Sequence, residues 1–380
     1  MPPGPTIGAM TASHPAVSAA AAVARAGADD AEQLRRLPAS TVTALADAGM
    51  FTMCLPAAYG GAGAGPVAMI DAVQEIAEAD GSAGWCAGIA STTSSLASFL
   101  EPEVARKVFA STATPTGGVF APNAVGTRDG EGYRVTGRWQ WGSGTQHCDW
   151  IVGGARCDDG SQRVCFFSPD QITFHDTWHT AGMRGTGSLD FSVDDVFVPT
   201  ELTYAVGEPA VIDEPISRFP NFTLLALGIA ATGIGIGRRA LDECAELAGA
   251  KTPQYSTRSL AESSYAQTEF ARAEAQWRSA RALLRAEVGA AWDAAVDGEP
   301  VGVGTRVAMR LAAAHAATTC VGVVDTAWTL AGGTAVYDTS VLGRCVRDAH
   351  VVTQHIMVAP KLNETLGKFL LGVEFNAAMI

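Results

Sequence analysis

Apolar positions recur at helical spacing from about residue 14 to 110, as in "TVTALADAGMF" (41–51) and "VAMIDAVQEIAEAD" (67–80). Between these runs, "LPAAYGGAGAGP" (55–66) reads as a Gly/Pro loop. From about 116 to 200 the texture changes to short β-branched and aromatic runs: "GGVFAP", "GYRVTGRWQW", "WIVGGARC", "RVCFFSP", "ITFHDTW" and "LDFSVDDVFVP". Leu189, Phe191 and Val193 alternate with Ser188, Asp190 and Ser192, the two-residue period of a half-buried strand. After Pro220 the spacing is helical again in four segments, near 220–250, 262–297, 301–330 and 341–372, joined by short connections that suggest an antiparallel bundle. The pattern predicts an α+β chain: an all-α domain over 1–115, a β-domain (a small barrel or sandwich) over 116–215, and a four-helix bundle over 216–380, with the first dozen residues loosely ordered.

Composition narrows the partners. With 380 residues and 48% hydrophobic content the chain can bury a large core. A net charge of −13 without Lys/Arg clusters argues against a nucleic-acid or anionic-membrane surface and favours a small-molecule substrate. Eight scattered cysteines with no CxxC pair fit reduced thiols of a cytoplasmic protein and no metal site. No apolar run reaches the roughly 18 residues of a membrane span, and the Ala-rich start lacks a preceding basic segment.

Two stretches carry candidate chemistry. In "GRWQWGSGTQHCDW" (137–150), Trp139, Trp141 and Trp150 flank a small polar break at Gly142, Ser143 and Gly144. Such a break exposes a hydroxyl and backbone N–H groups beside an indole wall, which suits a flat heteroaromatic ligand; a β-hairpin with aromatic packing is an equal reading. In "RDAHVVTQHIMVAPK" (347–361), His350 and His355 stand five apart, which on one helix separates them by about 140°. His175 and His179 read as surface or rim residues, and His315 as bundle core. "GIGIG" (233–237) lies inside a helical pattern and reads as close helix packing, and no GxSxG or HExxH occurs.

"GMFTMCLPAAYGGAG", "EIAEADGSAGWC", "WHTAGMRGTGSLDFSVDDVFVP" and "VRDAH" together resemble the acyl-CoA dehydrogenase superfamily over about residues 30–372. The resemblance implies an α-domain, a β-domain and a four-helix bundle with a flavin between them. "WGSG" falls on the family's Trp-Ile-Thr-Asn flavin motif, so Trp141 would cover the flavin edge, Ser143 would face its N5, and Gly144 would follow. "VFAPN" falls on the stretch beside the flavin pyrimidine, implicating Phe120 and Asn123. "AGG" matches a turn near the cofactor's far end, with Gly332 and Gly333, although Thr329 replaces the usual Gln. Arg258 is the nearest substitute for the arginine that holds the diphosphate across a dimer. These departures leave FAD or FMN open, including a reduced flavin that binds and leaves.

Laying "RDAH" on the family's catalytic segment puts Ile356 where a glutamate base normally stands, and "NFTLLALGIAATGIGIG" (221–237) holds no acid at the other usual position. A neutral pocket with an imidazole resembles instead the superfamily's flavin-dependent monooxygenase branch. That branch takes reduced flavin from a separate reductase and uses oxygen on a phenol, amine, indole or thioether. It implies catalytic roles for Ser143 and for His355, whose titration range suits proton tuning, with His350 bonding structure or lining the channel. A homotetramer is expected. Thr93 stands where several aromatic hydroxylases of the branch carry a histidine. Rival readings are a dehydrogenase or oxidase with a relocated base, such as Glu364 or Glu374, and a flavin-free assembly protein.

Overall fold

The computed structural model describes residues 14–111, 113–377 and 380; the opening dozen, expected to be loosely ordered, lie outside them. Six helices come first: α1 (Pro15–Ala26), α2 (Ala28–Leu34), α3 (Ala39–Asp47), α4 (Pro66–Ala79), α5 (Gly81–Ser94) and α6 (Pro102–Val108). Pro66 opens α4, where a missing N–H costs no helical hydrogen bond. Asp80 ends α4 and caps α5 by accepting the Ala83 N–H at 2.7 Å.

Seven strands follow: β1 (Thr116–Asp129), β2 (Gly132–Gly142), β3 (Trp150–Cys157), β4 (Gln162–Phe167), β5 (Thr173–His175), β6 (Leu189–Pro199) and β7 (Thr203–Ala205). They join in one sheet of order β5-β6-β2-β1-β3-β4-β7. β1 and β3 run parallel and every other pair antiparallel, so the expected barrel or sandwich resolves into a single mixed sheet.

The chain then forms α7 (Asn221–Ala250), α8 (Ser264–Val296), α9 (Val303–Ala331), α10 (Val341–Val352) and α11 (Leu362–Leu370). The predicted helix over 341–372 is thus two helices separated by turns. Side chains capture the carbonyl the helix needs: the Thr353 hydroxyl and the Gln354 amide both donate to the His350 carbonyl, at 2.9 and 3.3 Å. Pro360, with no N–H to give, keeps the helix from resuming early.

Within α7, Gly235 lies so close to α4 that a Cβ there would fall 2.4 Å from the Gln74 carbonyl oxygen, which explains "GIGIG" as backbone contact. By length and composition α7 and the Val303–Val336 stretch are apolar enough to cross a membrane, contrary to the sequence reading, yet 89% and 61% of their apolar windows are buried within the chain. They are core helices here. One apolar core joins the early helices to the bundle, and a second lies between the sheet and residues 96–109. The candidate site forms where these two bodies meet.

Candidate active site

β2 ends on a residue in the left-handed region: Trp141 has φ 67°, and the register with β6 shifts between Trp139 and Gly142. On a regular strand residues 139 and 141 would share a face. Here they part. Trp139 is fully buried, stacks on Phe191 with centroids 5.0 Å apart and donates its N–H to the Gly154 carbonyl at 2.9 Å. Trp141 is 68% exposed. The indole wall expected from three tryptophans is therefore one exposed indole, with Trp139 in the sheet core and Trp150 partly buried at the start of β3. A non-glycine residue held left-handed costs roughly 1–3 kcal/mol, and such strain concentrates at functional sites.

The next two residues turn the chain inward. Gly144 also lies in the left-handed region, at φ 70°. The Ser143 N–H donates to the Trp141 carbonyl and the Gly144 N–H to the Thr186 carbonyl, each at 2.9 Å. The backbone donors expected to face a ligand are therefore already used. What the turn presents is the Ser143 hydroxyl, which accepts the Trp85 indole N–H at 3.0 Å and contacts the Ser188 hydroxyl at 2.7 Å. Trp85, from α5, meets the ring of His355 edge-on with centroids 5.5 Å apart. One indole thus brings together the serine and the histidine that the sequence singled out.

His355 sits in the break between α10 and α11, so the helical-angle argument does not apply to it. Its Nδ1 accepts the Met357 N–H at 3.2 Å, which places the proton of the neutral ring on Nε2. Burial pushes its pKa down to about 4, although the residue is not fully buried, and the Arg310 guanidinium pushes the same way. The expected titration near neutrality gives way to a neutral imidazole whose one N–H is on Nε2. Arg310 is fully buried, bonded to the carbonyls of Phe222 and Met357 at 3.4 and 3.0 Å, and its own pKa falls to about 10 through burial.

The other sequence candidates are dispersed. His350 is exposed, its Nε2 3.1 Å from Asp325 Oδ1, so of its two expected roles it takes the structural one. Arg258 lies in an exposed turn after α7, and Gly332 and Gly333 are exposed at the end of α9. Asn123 is exposed on β1. Phe120, partly buried, meets Phe222 of α7 edge-on at 6.3 Å. Both line a cavity of about 590 Å³ whose other walls include Phe99, Val164 and Tyr204. Ser143, Trp85 and His355 do not line this cavity. His175 bonds Ser192 at 2.8 Å, His179 is exposed beside Asp176, and His315 is exposed next to Thr319 rather than in the bundle core.

Four contributors escaped the sequence reading. Trp85 lay in a quoted motif, but nothing in its spacing pairs it with Ser143. Thr186 and Ser188 are buried beneath that serine. His147 stacks on Phe51 at 5.8 Å under the Gly144 turn, and burial pushes its pKa down to about 4. An exposed indole face, a hydroxyl and an imidazole N–H, with no carboxylate bonded to any of them among the described residues, fit a flat, neutral ring system with heteroatoms along one edge. A flavin is such a ring.

The comparisons agree with that class. The acyl-CoA dehydrogenase N-terminal domain model matches residues 15–114 and the C-terminal domain model residues 227–360. An indole-3-acetate monooxygenase of Pseudomonas putida is 32% identical over 354 residues, 92% of this chain and 90% of that protein. A flavin-dependent monooxygenase oxygenase subunit, HsaA, of Rhodococcus jostii is 28% identical over 89% of this chain and 92% of its own. The crystal structure of a 3-HSA hydroxylase from Rhodococcus sp. RHA1 superimposes with a TM-score of 0.90 at 28% identity, covering 96% of this chain and 98% of that one. The chain belongs to the acyl-CoA dehydrogenase family, on the side of its flavin-dependent monooxygenases.

Proposed function

We propose that this protein is the oxygenase of a two-component system, taking reduced FAD or FMN from a separate reductase and inserting one oxygen atom into a small aromatic substrate. One observation carries the reading: Ser143 and His355 converge on Trp85, while Ile356, 65% exposed, stands where a dehydrogenase of this family would carry its base. Neither carboxylate named for a relocated base supplies one. Glu364 is exposed and paired with Lys368 at 2.6 Å, and Glu374 is exposed.

When bound, reduced flavin supplies the electrons and the site of oxygen activation. The chain's residues would do the rest. Trp141 offers a face for stacking, Ser143 meets the ring at N5, and Gly144 lets the backbone turn away beneath it. Phe120 and Asn123 border the pyrimidine edge. His355 donates from Nε2 to the substrate or to oxygen. The cavity of about 590 Å³ has the volume of a small-molecule site and would hold a ring beside Phe120 and Phe222, with Glu208, Arg218 and Arg306 also on its walls; Ser143, Trp85 and His355 lie outside its lining. Gly332, Gly333 and Arg258 would serve the cofactor's far end across a subunit contact. Exposed Tyr265, Leu283, Trp328 and Tyr337 on the bundle suit such a contact and a homotetramer. All eight cysteines are unpaired, in keeping with a cytoplasmic setting.

The test is rapid mixing of the protein and reduced flavin with oxygenated buffer containing an indole or a phenol. Oxygenated product, with less free peroxide than flavin alone releases, is expected. Bleaching of bound oxidised flavin by an acyl-CoA thioester would overturn the reading.

A further inference from the structure

Beneath Ser143 lies a buried row of hydrogen bonds whose direction is fixed by counting protons. Thr186 Oγ1 is 2.7 Å from the Met183 carbonyl oxygen; the carbonyl has no hydrogen, so the Thr186 hydroxyl donates. Its one proton is then committed, and at the 2.6 Å contact between Thr186 and Ser188 it is Ser188 that donates. Ser188 has no second proton for Ser143, 2.7 Å away, so Ser143 donates to Ser188. Trp85 Nε1, which can only donate, gives its hydrogen to Ser143. The Ser143 oxygen has thus given its proton inward and received one from the indole, and a single lone pair is left for a ligand.

The row is anchored at its inner end. The Met183 carbonyl also accepts the Trp178 indole N–H at 3.1 Å, and the Met183 N–H donates to the buried Asp348 carboxylate of α10. Thr186 and Ser188 are each 2% exposed, so water does not replace their partners. Reversing the row would turn all three hydroxyls and leave two oxygens at 2.7 Å, Thr186 Oγ1 and Met183 O, with no hydrogen between them.

We infer that Thr186 and Ser188 are positioning residues that make Ser143 an acceptor toward the flavin, so that the site selects the reduced ring over the oxidised one. The inference rests on the placement of Ser143 at flavin N5. Reduced flavin carries a hydrogen on N5 and satisfies the free lone pair. Oxidised flavin presents a lone pair there and meets it with no hydrogen between. A buried hydrogen bond made against one frustrated corresponds to roughly 10- to 100-fold in relative affinity.

The experiment compares dissociation constants for reduced and oxidised FMN and FAD, measured anaerobically by titration, in wild type, Thr186→Val, Ser188→Ala and Ser143→Ala. Circular dichroism checks that each variant keeps its fold. Thr186→Val frees Ser188 to donate to Ser143, and Ser188→Ala removes the inward acceptor; both release the Ser143 proton for the ligand. The wild type is expected to favour reduced flavin, and both variants to narrow that preference 10- to 100-fold, lowering the bound flavin's potential by about 30–60 mV. If Ser143→Ala alters flavin affinity but Thr186→Val and Ser188→Ala keep the wild-type ratio, the proton-direction argument is wrong. If Ser143→Ala leaves both affinities unchanged, the placement at N5 fails and the inference with it.

Discussion

Trp85 gives its indole N–H to the Ser143 hydroxyl at 3.0 Å while its ring meets His355 edge-on at 5.5 Å, so a residue of the first helical region sets the distance between the two groups assigned to catalysis. Trp85→Phe keeps an aromatic edge for His355 and removes the N–H. Ser143 then loses one of its two partners in a buried setting, a cost of about 1 kcal/mol or more. The variant is expected to bind reduced flavin several-fold more weakly and to release more peroxide per flavin oxidised. Peroxide and product are quantified together after single-turnover mixing. Unchanged coupling with unchanged affinity would show that the indole only fills space.

His355 is assigned a donor role because its pKa lies near 4 and its Nδ1 is already an acceptor. The ring is therefore neutral throughout pH 5.5–8, and the fraction of flavin oxidation that yields product should be flat across that window, falling only as pH approaches 4. His355→Ala should cut product formation about a hundredfold, the lower end for loss of a general acid–base group in a site, with peroxide release rising in step. A coupling profile with a midpoint near 6.5 would show that the ring titrates as an exposed histidine and would remove the donor assignment.

Trp141 holds a left-handed backbone that its side chain disfavours. Trp141→Gly relieves that strain, and the indole it removes is 68% exposed and adds little to the core. The folded protein should gain up to about 1 kcal/mol, less whatever entropy glycine adds to the unfolded chain. Flavin affinity should fall by tenfold or more with the loss of the stacking face. Thermal melts without flavin and anaerobic titration with it separate the two effects. A variant that binds flavin as well as wild type would place the ring elsewhere.

The order of elements was legible because hydrophobic periodicity is local: helices 221–250, 264–296 and 303–331 and the alternating strand at 189–199 all lie where the spacing put them. Motif position alone singled out Ser143 and His355, and the structure brings both against Trp85. Their surroundings were not legible. The break after Val352 depends on side chains seizing one carbonyl, and the separation of Trp139 from Trp141 depends on a register shift that composition does not encode. The contacts of Trp85 with Ser143 and of Thr186 with Ser188 join residues through tertiary or turn geometry, and periodicity carries no signal for either.

Asp348 supplies a stability test whose sign is set by burial. Its carboxyl is pushed up to about 7, and that of Asp80 to about 6, mainly because both are removed from water. Each holds its proton more tightly in the folded chain than in the unfolded one, where carboxyls titrate near 4, so each destabilises the fold progressively as pH rises from about 4 through its raised pKa. His147 and His355 act oppositely. With folded pKa values near 4 against 6.5 unfolded, they destabilise the fold as pH falls from 6.5 toward 4. The four contributions offset one another between pH 4 and 6.5, and wild-type stability should vary little there on their account. Asp348→Asn keeps an oxygen to accept the Met183 N–H and removes the charge. The variant should match wild type near pH 4, gain on it as pH rises, and by pH 8 exceed it by on the order of 2–4 kcal/mol. Urea unfolding at a series of pH values measures the difference directly. A variant less stable than wild type at pH 8 would mean that the carboxylate is stabilised in place by Arg344 and the Met183 N–H, and that the junction of α5, α10 and the 182–187 loop favours the charge rather than tolerating it.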